Sequence, residues 1–196
     1  MVEMVYAFII HTLLPGPCKV LFYQIYGQDE CDLKHEVQQP SDLKATRKTQ
    51  IEQAANQVHS EYQFRRAVEN RTVEEDIQTL ANEDTLPEFE LGFISLLEGE
   101  PFAKPRIAVW LGAGNTGFTL VCHETENRVL AENVLRLIIR CLQEHVRILS
   151  QPAEAFLKVD KVCLVLSCFL PEGSLIFMNH RVIRGLEKEL ETLIKN

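Results

Sequence analysis

Two long apolar runs near the start of the chain predict a pair of neighbouring β-strands. Residues 2–14 carry Val, Tyr, Phe and Ile with almost no polar interruption, which is typical of a strand buried on both faces. Pro15, Gly16 and Pro17 interrupt this run, and residues 19–26 then form a second run rich in β-branched and aromatic side chains. Because so short a link joins the two runs, we expect the strands to be antiparallel neighbours.

A helical pattern follows, with one apolar face and one polar face. Ser41 is the expected N-cap, because its hydroxyl can accept a hydrogen bond from a first-turn amide, and the pattern continues to about residue 69. The apolar positions recur at spacings of three and four, and they are Ile51, Ala54, Ala55, Val58 and Tyr62. One side of this helix should therefore cover a sheet. The other side carries basic residues that we interpret as solvated surface, with an acidic partner or anionic lipid as the alternative: Lys44, Arg47, Lys48, Arg65 and Arg66.

Three later runs predict the remaining strands, at residues 88–97, 106–111 and 117–123. A glycine-rich link joins the last two runs and predicts a hairpin turn between antiparallel strands. The strands thus cluster around one early helix and do not alternate with helices, which indicates an α+β fold with an antiparallel meander sheet.

The strongest helical pattern covers residues 129–149. Its polar stripe is narrow, and the pairs Glu132–Arg136 and Arg140–Glu144 have the spacing of helical ion pairs. The remaining arc is so wide and apolar that more than one neighbour must cover it. We interpret this excess of apolar helical surface as a sign of a partner chain.

The end of the chain is predominantly helical. Residues 152–170 predict one helix that ends at Pro171, residues 174–178 a short extended piece, and residues 179–194 an amphipathic C-terminal helix. We expect residues 1–196 to form a single domain, because that length is typical of one.

Acidic residues are concentrated in one stretch. The chain of 196 residues has a formal net charge of -8, and nine acids but no Lys or Arg lie between residues 72 and 103. We expect a mobile acidic loop at about residues 72–87. The rest of the chain is close to neutral, which disfavours direct nucleic-acid binding. Its apolar runs fall short of the ~20 residues of a transmembrane helix, and its start is not typical of a signal peptide.

Three glycines match the G-x-G-x-x-G pattern of dinucleotide sites, and they are Gly112, Gly114 and Gly117. In such a site a helix begins at the last glycine and points its amides at a pyrophosphate. Here residues 118–123 alternate like a strand. We therefore favour a hairpin and keep a nucleotide-binding enzyme as an alternative function.

The cysteines and histidines indicate no catalytic or metal site. The six cysteines contain no C-x-x-C pair, and we expect reduced thiols in a cytosolic protein. Cys141 and His145 have helical i,i+4 spacing and could form a thiolate–imidazole pair, but their apolar neighbours favour buried packing residues. The six histidines lack metal-ligand spacing. We therefore predict no catalytic residue, cofactor or metal, and no enzyme activity.

Five blocks of sequence together resemble the sigma, or small, subunit of the fifth adaptor-protein complex. The blocks occur in the same order over most of the chain: VYAFIIHTLL at 5–14, AANQVHSE at 54–61, VWLG at 109–112, VLAENVLRL at 129–137 and FLPEGSLIFMNHRVIRGLEKE at 169–189. The resemblance implies a longin-like fold, with a five-stranded antiparallel sheet and helices on both of its faces. It also implies a non-enzymatic role as one subunit of a heterotetrameric coat.

The resemblance further implies particular partners and a cellular location. The partners would be the zeta and beta large chains and the mu medium chain, with spatacsin and spastizin associated. The location would be the cytosolic face of late endosomes and lysosomes, reached as a peripheral part of the complex, and the task protein sorting that includes retrieval toward the Golgi. The family is also linked to homologous-recombination repair of DNA breaks. A longin-type platform that binds a small GTPase is the alternative with the same fold.

The resemblance also suggests where a cargo signal would bind. In other adaptor complexes the small subunit helps to bind acidic dileucine signals in an apolar pocket near the last strand and the helix after it. The matching positions here are Val121, Cys122, Leu130, Val134 and Leu135. Asn127 and Arg128 place one cation beside this junction, whereas Glu124 and Glu126 would repel an acidic signal.

Overall fold

The computed structural model describes residues 5–27, 40–69, 87–99 and 101–195. In this part of the chain five antiparallel strands form one sheet: β1 (Val5–Thr12), β2 (Val20–Ile25), β3 (Glu90–Leu96), β4 (Arg106–Ala113) and β5 (Thr116–His123). The strand order is β2-β1-β5-β4-β3. The helices are α1 (Pro40–Glu69), α2 (Arg128–Val146), α3 (Glu154–Leu157), α4 (Val159–Phe169) and α5 (His180–Lys195), with a 3-10 turn at Pro171–Gly173. The predicted α+β fold with a five-stranded antiparallel sheet is confirmed.

Strand β1 is buried on both of its faces, as its uninterrupted apolar run predicts. Phe8 and Ile10 belong to an apolar layer shared with α2 and α4. Ile9 belongs to a second layer on the opposite face of the sheet, shared with α1. A central strand that is apolar on both sides requires helices on both faces of the sheet, and this arrangement is present.

Helix α1 packs on the sheet through the apolar stripe that the sequence predicts. Ile51, Ala54, Ala55, Val58 and Tyr62 are all buried there. The expected N-cap is wrong, because α1 begins at Pro40 and Ser41 lies inside its first turn. Proline suits that position, since the first helical residues have no intrahelical partner for an N–H group.

The glycine-rich link is a β-hairpin. Ala113 pairs with Thr116, and Gly112 pairs with Gly117, so only two residues form the turn. Gly114 has a φ of 54°, which a glycine adopts without steric cost. Gly117 continues directly into β5, and no helix begins there. The hairpin prediction is confirmed.

Most of the apolar arc of α2 is covered by other parts of the same chain. Strands β4 and β5 cover one side of the helix, and α4 covers another. The buried residues are Ala131, Val134, Leu135, Ile138, Ile139, Cys141, Leu142 and Val146. More than one neighbour does cover the arc, as expected. Most of the arc is therefore not a partner surface, because both covering layers belong to the same chain, whereas Leu130 and Leu137 on its outer side are only partly buried.

Two local predictions in the helical part are also wrong. The helix predicted at residues 152–170 is divided into α3 and α4, because Lys158 between them has a non-helical backbone with φ -123° and ψ 41°. Arg140 pairs with Glu187 of α5 and not with Glu144. The pair Glu132–Arg136 is present at 2.8 Å. The acidic loop predicted at residues 72–87 lies, except for Pro87, outside the described residues.

Candidate functional site

The polar residues at the junction between β5 and α2 stabilise the fold. Oδ1 of Asn127 accepts hydrogen bonds from the backbone N–H groups of Val129 and Leu130, both at 3.1 Å. This is an N-cap, and it satisfies two amides that the helix leaves unpaired. Cζ of Arg128 lies 5.7 Å from the centre of the Phe93 ring. Arg128 is thus engaged with an aromatic ring of β3.

The five residues suggested for a signal pocket do not all lie together. Cys122 and Leu135 are buried in the apolar layer beneath α2. Val121 is buried on the opposite face of the sheet, in the layer beneath α1. Successive side chains of a strand point to opposite faces, so Val121 and Cys122 cannot line one pocket. Cys122, Val134 and Leu135 share one apolar layer, and of the five residues Leu130 and Val134 line the groove described next.

This apolar groove, which we call the α2 groove, has a volume of about 480 Å³. One wall is the outer side of α2, and the other consists of residues just before β3, in the segment between α4 and α5, and in the first turn of α5. Its apolar lining residues are Pro87, Phe89, Leu130, Val134, Leu137, Ile176, Phe177, Met178 and Ile183. Helical periodicity could not predict that the residues outside α2 line this groove, because none of them lies on the same element as Leu130.

Two arginines stand beside the α2 groove, and both are paired with carboxylates. Arg136 pairs with Glu132 at 2.8 Å, and its Cζ lies 5.8 Å from the centre of the Phe89 ring. Arg140 pairs with Glu187. The side chains of Arg136 and Arg140 are 40% and 45% exposed. The groove therefore combines an apolar floor with cations that remain partly accessible to an acidic ligand.

In the described part of the chain, the buried thiols and the imidazole beside one of them form no activated nucleophile. Burial raises the pKa of the Cys122 and Cys141 thiols to about 12, which keeps both protonated at neutral pH. Sγ of Cys18 lies 3.8 Å from Nδ1 of His11, but burial raises the pKa of Cys18 to about 11. The same burial lowers the pKa of His11 to about 4, so this pair is a neutral thiol beside a neutral imidazole.

The described part of the chain contains no group of three or more His, Cys, Asp or Glu side chains that could hold a metal ion. The cysteines at 18, 122, 141, 163 and 168 are all free thiols. Cys31 lies outside the described residues.

The basic face predicted for α1 is only partly solvated. Lys44 and Lys48 are exposed. Arg66 is 7% exposed, and its Cζ lies 5.6 Å from the centre of the Tyr62 ring. Arg65 donates a hydrogen bond to the Leu91 carbonyl at 2.8 Å. The prediction of a solvated face is therefore wrong for Arg65 and Arg66, because aromatic rings and the edge of the sheet bind their guanidinium groups.

The order of the strands and helices is that of a longin-like small subunit of an adaptor complex. A family model described as AP-5 complex subunit sigma-1 matches residues 4–191. A Homo sapiens protein described as AP-5 complex subunit sigma-1 is 35% identical over 194 residues, covering 95% of this chain and 96% of its own length. A Mus musculus protein of the same description is 34% identical over 154 residues, covering 75% of this chain and 91% of its own. The chain therefore belongs to the AP-5 complex subunit sigma-1 family.

Membership of this family makes the chain a small adaptor-complex subunit with a part in protein transport, a class of proteins that are not enzymes. Among the residues that the structure describes, no helix is both long and apolar enough to cross a membrane.

Proposed function

We propose that this chain is the sigma subunit of a heterotetrameric AP-5-type adaptor complex, in which it assembles with the zeta and beta large chains and the mu medium chain. The observation that carries the proposal is the family match over residues 4–191, a range that spans the whole sheet and the helices on both of its faces. The human and mouse relatives are themselves described as AP-5 complex subunits. The role of the chain is structural, since it contributes one folded subunit to the assembly.

We further propose that the complex acts on the cytosolic face of late endosomes and lysosomes. There it would sort proteins, including their retrieval toward the Golgi, with spatacsin and spastizin as associated proteins. The family resemblance supports this location, and the chain would reach the membrane peripherally, as part of the complex. A link to homologous-recombination repair would act through such partners, because this chain carries only 20 basic residues against 28 acidic ones.

The experiment that tests this assignment is purification of the complex through an affinity tag on the full chain. We expect the two large chains and the medium chain to be recovered in amounts equal to that of the tagged chain. Recovery of a monomer without any large adaptor chain would contradict the proposal. Recovery of a small GTPase as the stoichiometric partner would favour the longin-type platform instead. Equilibrium dialysis with NAD or ATP tests the nucleotide-binding alternative, for which we expect no binding at millimolar ligand.

A second proposed function is the binding of an acidic dileucine signal, and the α2 groove supports it. Leu130 and Val134 lie there with further apolar side chains, and Arg136 and Arg140 stand beside them. Two leucine side chains would bury apolar surface in the groove, and an acidic residue of the signal would lie near the arginines. The signal would therefore contact only two of the five residues that the family resemblance suggests.

Fluorescence anisotropy with a labelled acidic dileucine peptide and the purified complex tests this second function. Leu137 lines the groove and is half-buried, so Leu137→Ser should weaken peptide binding by about tenfold. Leu193 on α5 is 46% exposed and lies outside the groove lining, so Leu193→Ser is the matched control and should leave binding unchanged. Equal binding by both variants would exclude the α2 groove as the signal site.

A further inference from the structure

Strand β2 forms one outer edge of the sheet, and alternate residues along it direct their backbone groups away from β1. The backbone N–H of Tyr26 donates to the Tyr6 carbonyl at 2.8 Å, and Gln24 pairs with Phe8 in the same antiparallel register. In an antiparallel ladder alternate residues bond to the same neighbour. Tyr23 and Ile25 therefore direct their N–H and C=O groups to the open side.

The open side of β2 has no partner among the described residues. No strand pairs there, and no described side chain bonds to the outward backbone groups of Tyr23 and Ile25. The other edge of the sheet is different, because Arg65 donates to the outward carbonyl of Leu91 in β3. The sequence of β2, VLFYQI, also lacks the charges and prolines that usually protect an exposed edge from pairing.

A groove of about 720 Å³ runs along this edge, and we call it the β2 groove. Ile51, Glu52 and Asn56 of α1 line it from one face of the sheet. Phe156 of α3, which is 58% exposed, lines it where α3 contacts β2. Ala155 beside Phe156 is buried in the apolar layer on the other face, so the edge is recessed between two helices.

The shape and charge of the β2 groove define its occupant. A recessed edge accepts a single extended segment, whereas the equally recessed edge of a second copy could not approach it. Lys48 and Glu52 pair at 3.7 Å across one turn of α1, and the exposed Lys19 just before β2 adds one positive charge to the lining. Tyr23 is 43% exposed and presents an aromatic surface beside the open backbone groups. An extended segment with apolar side chains and an acidic residue opposite Lys19 satisfies the backbone, these walls and the charge.

We propose that the outer edge of β2 binds an extended apolar segment of another subunit of the adaptor complex, which carries an acidic residue opposite Lys19 and pairs with the edge as a sixth strand. This proposal rests on the proposed sigma function. The sheet of this chain is then extended at β2 by a strand of another subunit. The pairing adds backbone hydrogen bonds between the two chains. The edge is then protected in the assembled complex.

The test uses proline substitutions in the full tagged chain, purified with its complex. Tyr23→Pro removes an outward N–H and fills the space of the incoming strand, but it leaves the bonds between β2 and β1. It should lower the recovery of one partner chain by about tenfold, whereas Tyr23→Ala, which keeps the N–H, should lower it by less than about twofold. Phe93→Pro places the same change at an outward position of β3, and it should leave recovery unchanged. Equal recovery from Tyr23→Pro and the unmodified chain overturns the proposal.

A crosslink identifies the occupant independently of the proline variants. A benzoylphenylalanine at Asn56, which is exposed and lines the β2 groove, should crosslink to a contiguous extended segment of another subunit. A crosslink to a second copy of this chain, or no crosslink to any subunit within an intact complex, overturns the proposal. If both proline variants fail to fold, this crosslink decides the question. Recovery of the unmodified chain without any large chain refutes the sigma function and this proposal with it, so the two failures are distinguishable.

Discussion

Cζ of Arg65 lies 5.1 Å from the centre of the Trp110 ring, and Nη1 of the same guanidinium donates to the Leu91 carbonyl at 2.8 Å. Arg65 thereby links helix α1 to Trp110 of the inner strand β4 and to Leu91 of the outer strand β3. Nε of Arg65 also pairs with Glu61 at 2.7 Å, which holds the guanidinium in place. A planar, five-donor group can satisfy all three contacts at once, whereas a lysine ammonium could not.

Removal of the Arg65 side chain should therefore destabilise the fold. Arg65→Ala leaves the Leu91 carbonyl without its donor and uncovers the indole, and we expect it to lower the free energy of unfolding by about 1–3 kcal/mol. Lys48→Ala is the matched control on the same helix, because Lys48 makes only an exposed pair with Glu52. It should change the free energy of unfolding by less than about 0.5 kcal/mol. Urea unfolding of the full chain, followed by circular dichroism, measures both, and equal effects would refute this role of Arg65.

The indole of Trp110 also determines what residue can lie opposite it in β3. A methyl group at Gly92 would lie 2.4 Å from the Trp110 ring, so Gly92→Ala must displace a buried side chain. We expect a loss of about 2 kcal/mol in the free energy of unfolding. Gly185→Ala is the control, because no atom lies within 4 Å of that position and alanine favours a helix interior. It should stabilise α5 by about 0.5–1 kcal/mol, and a Gly92→Ala protein as stable as the unmodified chain would contradict the close packing.

Patterns within single segments of the sequence predicted the fold. Contacts between residues that are distant in sequence determine which surfaces are covered and by which element. The strands and α1 follow from alternation and 3.6-residue periodicity, which a single segment carries by itself. The width of the α2 arc correctly predicted several neighbours, but width alone cannot tell whether the neighbour is α4 or another protein. Arg65 shows the same limit, because helical periodicity places it on the polar face of α1, and its actual partners, Leu91 and Trp110, lie on strands distant in sequence. Strict use of strand alternation would have separated Val121 from Cys122 in advance.

The cysteines should differ strongly in their reaction with an alkylating reagent. Cys163 is exposed, whereas Cys122 and Cys141 are buried thiols whose pKa is raised to about 12. Because the thiolate is the reacting form, iodoacetamide at pH 8 should modify Cys163 first and leave the two buried thiols unmodified. Mass spectrometry of tryptic peptides measures the extent at each site. The control is the same reaction in concentrated urea, where all cysteines should react, and early modification of Cys141 in the folded chain would contradict its enclosure by α4 and the sheet.

The buried imidazole of His11 should make stability fall as the pH is lowered. Burial lowers the pKa of His11 from 6.5 to about 4, with a smaller lowering from nearby His59 and an opposing hydrogen bond to the Thr12 backbone. Between these two values the unfolded chain binds a proton that the folded chain does not. The stabilising contribution is therefore complete above pH 6.5, and it is lost as the pH falls from 6.5 to about 4, by up to about 3 kcal/mol.

Urea unfolding between pH 4 and 7 tests this dependence by comparing the full chain with His11→Gln, which removes the titrating group. Nε2 of His11 lies 3.1 Å from Oγ1 of Thr119, and an amide can make a similar hydrogen bond there. The variant should lose absolute stability but show a shallower decline in unfolding free energy below pH 6.5. His180→Gln, at an exposed position that begins α5, should keep the slope of the unmodified chain. Parallel slopes for the unmodified chain and His11→Gln would show that another group causes the decline, since only the His11 proton is removed in that comparison.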